Sequence, residues 1–225
     1  GLVYFDGEYH LFFQHNPFGI PWGNMTWGHA VSRDLIHWEE LGDAILPDER
    51  GTIYSGSAVV DTNNTSGLGT SEHPAICAFY TAAGGHSYKP CPFTQCMAYS
   101  LDRGRTWAKF AGNPVVDFIA DSNRDPKVFW HEQTKRWIMV LYVRRDAFSI
   151  FSSQNLKEWK FESEAAFPTA HECPELFELP VDNNPQDTRW ILWSASGNHL
   201  IGRFDGHTFS AESEVLRSEW GRNCY

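Results

Sequence analysis

The sequence predicts an all-β fold: a β-propeller of four-stranded antiparallel blades, with about four blades in this chain. Three observations carry that reading. Apolar and polar residues alternate along most of the 225 residues, and no stretch keeps a helical period for three turns. A short phrase closing on an aromatic residue recurs as Ser32-Arg33-Asp34-Leu35-Ile36-His37-Trp38, Ser100-Leu101-Asp102-Arg103-Gly104-Arg105-Thr106-Trp107 and Ser152-Ser153-Gln154-Asn155-Leu156-Lys157-Glu158-Trp159, with a weaker copy at Arg203-Phe204-Asp205-Gly206-His207-Thr208-Phe209. Trp38, Trp107, Trp159 and Phe209 stand 69, 52 and 50 residues apart, which suits propeller blades of about 40–50 residues. A β-sandwich would not repeat a whole four-strand unit with an aromatic closing each copy.

Each unit reads the same way. The first strands are expected at Leu2–Phe5, Ser57–Asp61, Lys127–Trp130 and Glu175–Leu179. The second strands follow at Tyr9–Gln14, Ala75–Thr81, Arg136–Tyr142 and Arg189–Ala195. The third are Gly28–Ser32, Cys96–Ser100, Phe148–Ser152 and His199–Phe204, and the fourth carry the Trp or Phe. An Asp, Asn or Gly turn joins third to fourth, as a tight hairpin requires. Trp220 to Tyr225 reads as the lead-in to a fifth blade. There is no initiator Met, and both ends read as cut through structure, so a fragment is expected and the lack of a targeting segment says nothing about location.

Composition narrows the function classes. A net charge of −10 opposes a nucleic-acid partner. The longest apolar run, Trp137 to Val143, is too short to span a bilayer as a helix. Hydrophobic content of 42% with 15% aromatics excludes disorder. Ten Trp residues suit sheet packing or a platform for sugar rings. Of five cysteines, Cys91 and Cys96 form a lone C-x4-C, and no His pair stands at zinc-finger spacing, so no metal is expected. Free buried thiols are the default, with a disulfide involving Cys91 or Cys96 the alternative. Asn24-Met25-Thr26 and Asn63-Asn64-Thr65 fit the glycosylation pattern, which also arises often by chance.

In a propeller the first strand of each blade lines the central channel and the second runs antiparallel beside it. The starts of first strands and the ends of second strands therefore share one channel mouth. Tyr54 and Ser55 stand before the second blade, Arg124 and Asp125 before the third, and Glu172 and Cys173 before the fourth. Gln14 ends the second strand of the first blade, and Trp22 flanks the next loop. Each also has a plain structural reading. Asp125 before Pro126 suits a turn, Glu172 suits a solvated loop, Gln14 can cap a strand end, and Trp22 can fill core. Asp6-Gly7 reads as a hairpin turn, and Asp34, Asp102 and Asp205 repeat with the turns. The convergence of Asp125, Glu172, Arg124 and Gln14 is what favours a site. Paired carboxylates in an aromatic pocket point to glycoside hydrolysis, where one carboxyl donates a proton while another works ionised.

Gly28-His29-Ala30-Val31-Ser32, Tyr54-Ser55-Gly56-Ser57, Arg124-Asp125-Pro126 and Glu172-Cys173-Pro174 resemble the signatures of glycoside hydrolase family 32, the invertase, levanase and inulinase group. The wording from Gly51 to Asp61 is most similar to the levanase and exo-inulinase branch. The resemblance implies a five-bladed propeller with a trailing β-sandwich, so residues 1–225 would be a partial catalytic propeller domain whose sandwich lies outside the chain. It implies a retaining β-fructosidase acting on levan, inulin or sucrose, with no cofactor or metal and a secreted or periplasmic setting. Glu172 would be the general acid/base and Asp125 the transition-state stabiliser. Arg124, Gln14, Trp22, Tyr54, Ser55 and Tyr225 would complete the fructose subsite. The family's nucleophile is the Asp of Asn-Asp-Pro-Asn-Gly. That motif is absent here, and Gly1 would be its last residue, so this chain alone is expected to be inactive. A fructosyltransferase, a non-catalytic carbohydrate-binding propeller and a protein-interaction propeller are the other readings.

Overall fold

The computed structural model describes residues 1–120, 123–218 and 221. The strands form four antiparallel sheets, each with its strands in sequential order. The first holds β1 (Leu2–Phe5), β2 (Glu8–His15), β3 (Thr26–Ser32) and β4 (Trp38–Ile45). The second holds β5 (Thr52–Asp61), β6 (Ala75–Ala83), β7 (Thr94–Ser100) and β8 (Ala108–Lys109). The third holds β9 (Arg124–His131), β10 (Arg136–Arg144), β11 (Ala147–Ser153) and β12 (Lys160–Ala166). The fourth holds β13 (Glu175–Val181), β14 (Asn184–Ser194), β15 (Asn198–Phe204) and β16 (Phe209–Ala211), and a short β17 (Leu216–Arg217) pairs with β15. Helix is confined to one 3-10 turn at Gly84–His86 among the described residues, and no helix is long and apolar enough to cross a membrane.

The sheets stack face to face as blades, with an apolar core in each gap. Phe12, Trp27, Ile53, Ile76 and Tyr80 fill the first gap. Phe79, Met97, Trp137, Met139 and Leu141 fill the second. Ile138, Phe148, Trp190, Leu192 and Phe204 fill the third. A blade between two others is covered on both faces, so β6 is buried throughout and β10 nearly so. Their sequences are accordingly continuous apolar runs rather than alternations. The innermost strands touch: the Ser57 hydroxyl on β5 donates to the Pro126 carbonyl (2.9 Å) and accepts the Val128 N–H (2.8 Å) on β9.

The recurrent phrase is a repeated turn. Asn155 Oδ1 accepts the N–H groups of Lys157 and Glu158. Asp34 and Asp205 do the same for the residues two and three ahead, and Asp102 accepts the Thr106 N–H. The indoles of Trp38, Trp107 and Trp159 each donate to the carbonyl three residues back, on Leu35, Gly104 and Leu156. Trp38 and Phe209 begin their strands, whereas Trp107 and Trp159 lie just before β8 and β12. Asp6 (φ +50°) and Gly7 (φ +86°) form the two-residue turn between β1 and β2, where the right-handed strand twist favours positive φ at both positions.

Cys77, Cys91, Cys96 and Cys173 are free thiols, so the alternative of a disulfide at Cys91 or Cys96 does not hold among the described residues. The Cys91 thiol turns to the Arg50 carbonyl, and burial pushes the Cys96 thiol up to about 11. Trp220 and Tyr225, placed by the sequence in a fifth-blade lead-in, lie outside the described residues.

Candidate active site

Two inner strands are irregular where they open onto the channel mouth. The β5–β6 register shifts between Ile53 and Gly56, and the β10–β9 register shifts between Val140 and Tyr142. Tyr54, Ser55, Arg124 and Asp125 thus lie inside β5 and β9 rather than ahead of them, the sequence reading having placed both strand starts too late. Bulges re-aim side chains while the strand continues. Gly56 is obligatory at the first bulge, because a Cβ there would stand 1.9 Å from the Phe79 carbonyl oxygen. At the second, Asp125 takes φ +63°, a region that Asp tolerates better than most residues, and Pro126 needs no ladder donor. Cys173, next to Glu172, also has positive φ (+53°). Two non-glycine residues in sparsely populated backbone regions, side by side at one mouth, require surroundings that hold them there.

A buried polar chain supplies that support. The Asp125 N–H donates to Thr81 Oγ1 (3.0 Å), and Thr81 donates to Gln95 Oε1 (2.7 Å). The Gln95 amide in turn donates to the Asn123 carbonyl (3.3 Å). Asp125 Oδ2 accepts the Cys173 N–H at 3.2 Å, tying the third blade to the loop ahead of the fourth.

Arg124 stands between the two carboxylates. Its Nε and Nη2 both lie 3.0 Å from Glu172 Oε2, and Nε lies 3.5 Å from Asp125 Oδ2. The guanidinium rests 4.5 Å above the Tyr142 ring, a cation–π seat. His171 Nδ1 faces the other Glu172 oxygen at 3.7 Å. Burial pushes the Asp125 carboxyl up to about 6, and it outweighs the opposing pull of Arg124 and of the Cys173 N–H. Glu175 is a different kind of acid: it pairs with Lys127 at 2.6 Å.

Aromatic residues wall the site. Burial raises the Tyr54 hydroxyl, whose ionisation also senses Arg124, Asp125 and Glu172. Trp22 meets Tyr54 edge-on at 6.0 Å and is 62% exposed. A cavity of about 270 Å³ is lined by Ser55, Asp125, Lys127, Cys173, Glu175 and Trp193, among others. Gln14 donates its amide to the Ile53 carbonyl (3.0 Å) just before the β5 bulge. Of the candidates named from sequence, Arg124, Asp125 and Glu172 are in direct contact and Tyr54 and Ser55 adjoin them. Trp22 joins through Tyr54 and Gln14 through the backbone of Ile53, and Tyr225 lies outside the described residues. The sequence reading missed Thr81, Tyr142, Trp193 and His171. The first three were within reach, because all stand within two residues of the end of a second strand at the same mouth, as Gln14 does.

The whole chain, residues 1–225, matches the model of the glycosyl hydrolases family 32 N-terminal domain. The chain belongs to glycoside hydrolase family 32. Among family 32 relatives, the levanase of Bacillus subtilis is 46% identical over all of this chain and 35% of its own length. The extracellular exo-inulinase of Aspergillus niger is 37% identical over all of the chain and 50% of its own length. The crystal structure of exo-inulinase from Aspergillus awamori superposes with a TM-score of 0.85 at 36% identity, covering 98% of this chain and 52% of that one. A β-fructofuranosidase of Schwanniomyces occidentalis, solved with fructosyl-erythritol, gives 0.84 at 38% identity, covering 96% and 46%. The chain thus spans between about a third and a half of these family 32 proteins.

Proposed function

We propose that this chain is the propeller part of a β-fructosidase, an enzyme that hydrolyses β-D-fructofuranosyl bonds of levan, inulin or sucrose with retention. The observation that carries the reading is the single guanidinium of Arg124 held against both Asp125 and Glu172 at an aromatic-walled mouth. Glu172, the more exposed of the two, protonates the leaving oxygen and then activates water as general acid/base. Asp125, buried beside Arg124, accepts hydroxyls of the fructosyl ring as positive charge develops. Tyr54, Ser55, Trp22, Gln14 and Tyr225 complete the ring's enclosure.

The covalent step needs a nucleophilic carboxylate that these residues do not supply. We place it three residues ahead of Gly1. A Cβ on Gly1 would lie 3.1 Å from Ser57 Cα on β5, so the chain entering β1 passes along the inner strands. A fifth blade and a trailing β-sandwich complete the protein in this reading, and residues 1–225 alone release no fructose. The names of the matched relatives and the extracellular label of the exo-inulinase support a secreted enzyme acting on fructan or sucrose.

Glu172→Gln in the full-length protein tests the assignment. Fructose release from sucrose, inulin and levan should fall roughly 10²–10⁴-fold while the protein stays folded. Turnover within a few-fold of the parent's would remove Glu172 from the acid role.

A further inference from the structure

Beyond Trp22 and Tyr54 the aromatic wall continues. His86 meets Trp22 edge-on at 5.1 Å and lies 5.8 Å from Tyr54, and Phe93 closes on Tyr54 at 5.6 Å. On the outer side of that wall is a second cavity, of about 330 Å³, lined by Trp22, Asn24, Asp48, His86, Ser87 and Tyr88 among others. It shares no lining residue with the cavity lined by Asp125, and of its lining only Trp22 has a role described above.

From its lining we propose that this cavity is a platform for a further sugar ring of a fructan chain. This rests on the β-fructosidase reading and adds a second contact for a substrate longer than sucrose. Trp22 is 62% exposed and Tyr88 fully exposed beside the cavity. Large aromatic faces left in water at the rim of a pocket mark a binding surface. Their electron-rich faces suit the C–H faces of sugar rings. The polar groups are the complement of hydroxyls: a carboxylate (Asp48), an amide (Asn24) and a hydroxyl (Ser87). Asp48 is held in place by Lys109 Nζ at 2.6 Å and by the Arg50 N–H at 2.9 Å. Among the described residues no lysine or arginine lines the cavity, and the nearby Lys109 ammonium is taken up by Asp48.

The platform is also built to stay in place. The Gly84 carbonyl accepts the N–H groups of both Ser87 and Cys91 at 3.1 Å, closing the loop on itself. A Cβ on Gly84 would meet the Cys91 carbonyl oxygen at 2.3 Å, and one on Gly51 would meet the Ala83 oxygen at 2.5 Å. The loop is therefore packed against the start of β5, the strand that carries Tyr54.

The test is Tyr88→Ala and His86→Ala in the full-length protein, with sucrose as the short reference and nystose, inulin and levan as long substrates. The ratio of kcat/KM on long substrates to kcat/KM on sucrose should fall about three- to tenfold, the size of one lost stacking contact, and Tyr88→Phe should restore it. Nystose titrated into the Glu172→Gln protein supplies a reading independent of turnover, and Tyr88→Ala should weaken that binding by a similar factor. Unchanged ratios with unchanged nystose binding, or equal losses on sucrose and fructans, would overturn the platform. A wild-type protein that cleaves none of these sugars would instead overturn the β-fructosidase reading, while the nystose titration still reports on the cavity.

Discussion

Aspartate stands at both ends of the blades, at the channel mouth and at the hairpin turns between third and fourth strands, and the two settings treat it in opposite ways. At the turns the Thr208 and His207 N–H groups point at Asp205 and hold its carboxyl below its usual value. Backbone donors likewise hold Asp34 low. These carboxylates are solvated and satisfied by their own loop. At the mouth Asp125 is 6% exposed, and burial carries it up to about 6. Its charge is favoured by the Arg124 guanidinium and by the N–H and side chain of Cys173, from the loop ahead of the next blade. The same residue type thus caps a turn and stays ionised where its partners are local, and is pushed toward its protonated form by burial where its partners are remote.

The sharpest way to separate the two is Asp125→Asn. Asp125 binds its proton more tightly in the fold than in the unfolded chain, so its ionisation costs stability as pH rises from 3.8 through about 6. The amide should raise stability by about 1–3 kcal/mol at pH 7 while fructose release by the full-length protein falls at least about 10²-fold. Chemical denaturation and a sugar assay read both. A loss of stability would mean that the carboxylate is structural there.

Substitutions at the turns should alter stability without altering chemistry. The residue after each turn acid or amide has positive φ: Leu35 (+64°), Arg103 (+58°), Leu156 (+64°) and Gly206 (+91°). Leu156 is also fully buried in the gap between the second and third blades. Leu156→Gly should therefore destabilise by about 2–5 kcal/mol, the cavity outweighing the relief of the backbone. Leu35 is exposed, so Leu35→Gly should stabilise by about 0.5–1 kcal/mol. Melting temperatures that move in the same direction for the two variants would contradict this account.

Between these in size lies a pH effect at the blade gaps. His10 Nδ1 and His29 Nε2 face each other at 3.1 Å beneath Gly104 of the next blade, and His131 sits in the same way beneath Gly206. Burial, with help from His10 and Arg105 and against Glu8, pushes His29 down to about 4. The unfolded chain takes up that proton near pH 6.5, so the stability contributed by the neutral ring is complete above 6.5 and drains away as pH falls toward 4. About 3 kcal/mol is at stake. Asp125 opposes this trend equally in the parent and in His29→Gln, so the stability of the parent relative to that variant, read from denaturation midpoints, should fall as pH drops from 7 to 4.5. Asn155→Ala, which removes two backbone hydrogen bonds, should cost about 1 kcal/mol at every pH.

Much of this was legible in the chain itself. The turn signature and its closing aromatic are local interactions, Asp or Asn to N–H and indole to a carbonyl three residues back, so they repeat visibly and fix the blade count and strand order. The rule that first-strand starts and second-strand ends share a mouth was enough to gather Arg124, Asp125, Glu172 and Tyr54. Tertiary structure alone decided the rest. The register breaks at Tyr54–Ser55 and Asp125–Pro126 are set by pairing with β6 and β10, although Gly56 and the Asp125-Pro126 pair are residues that fit a bulge. No pattern announces the seat of Arg124 on Tyr142, the Thr81–Gln95–Asn123 chain beneath Asp125, or the burial that raises its carboxyl. Those are contacts between groups tens of residues apart, and they exist only once the blades have stacked.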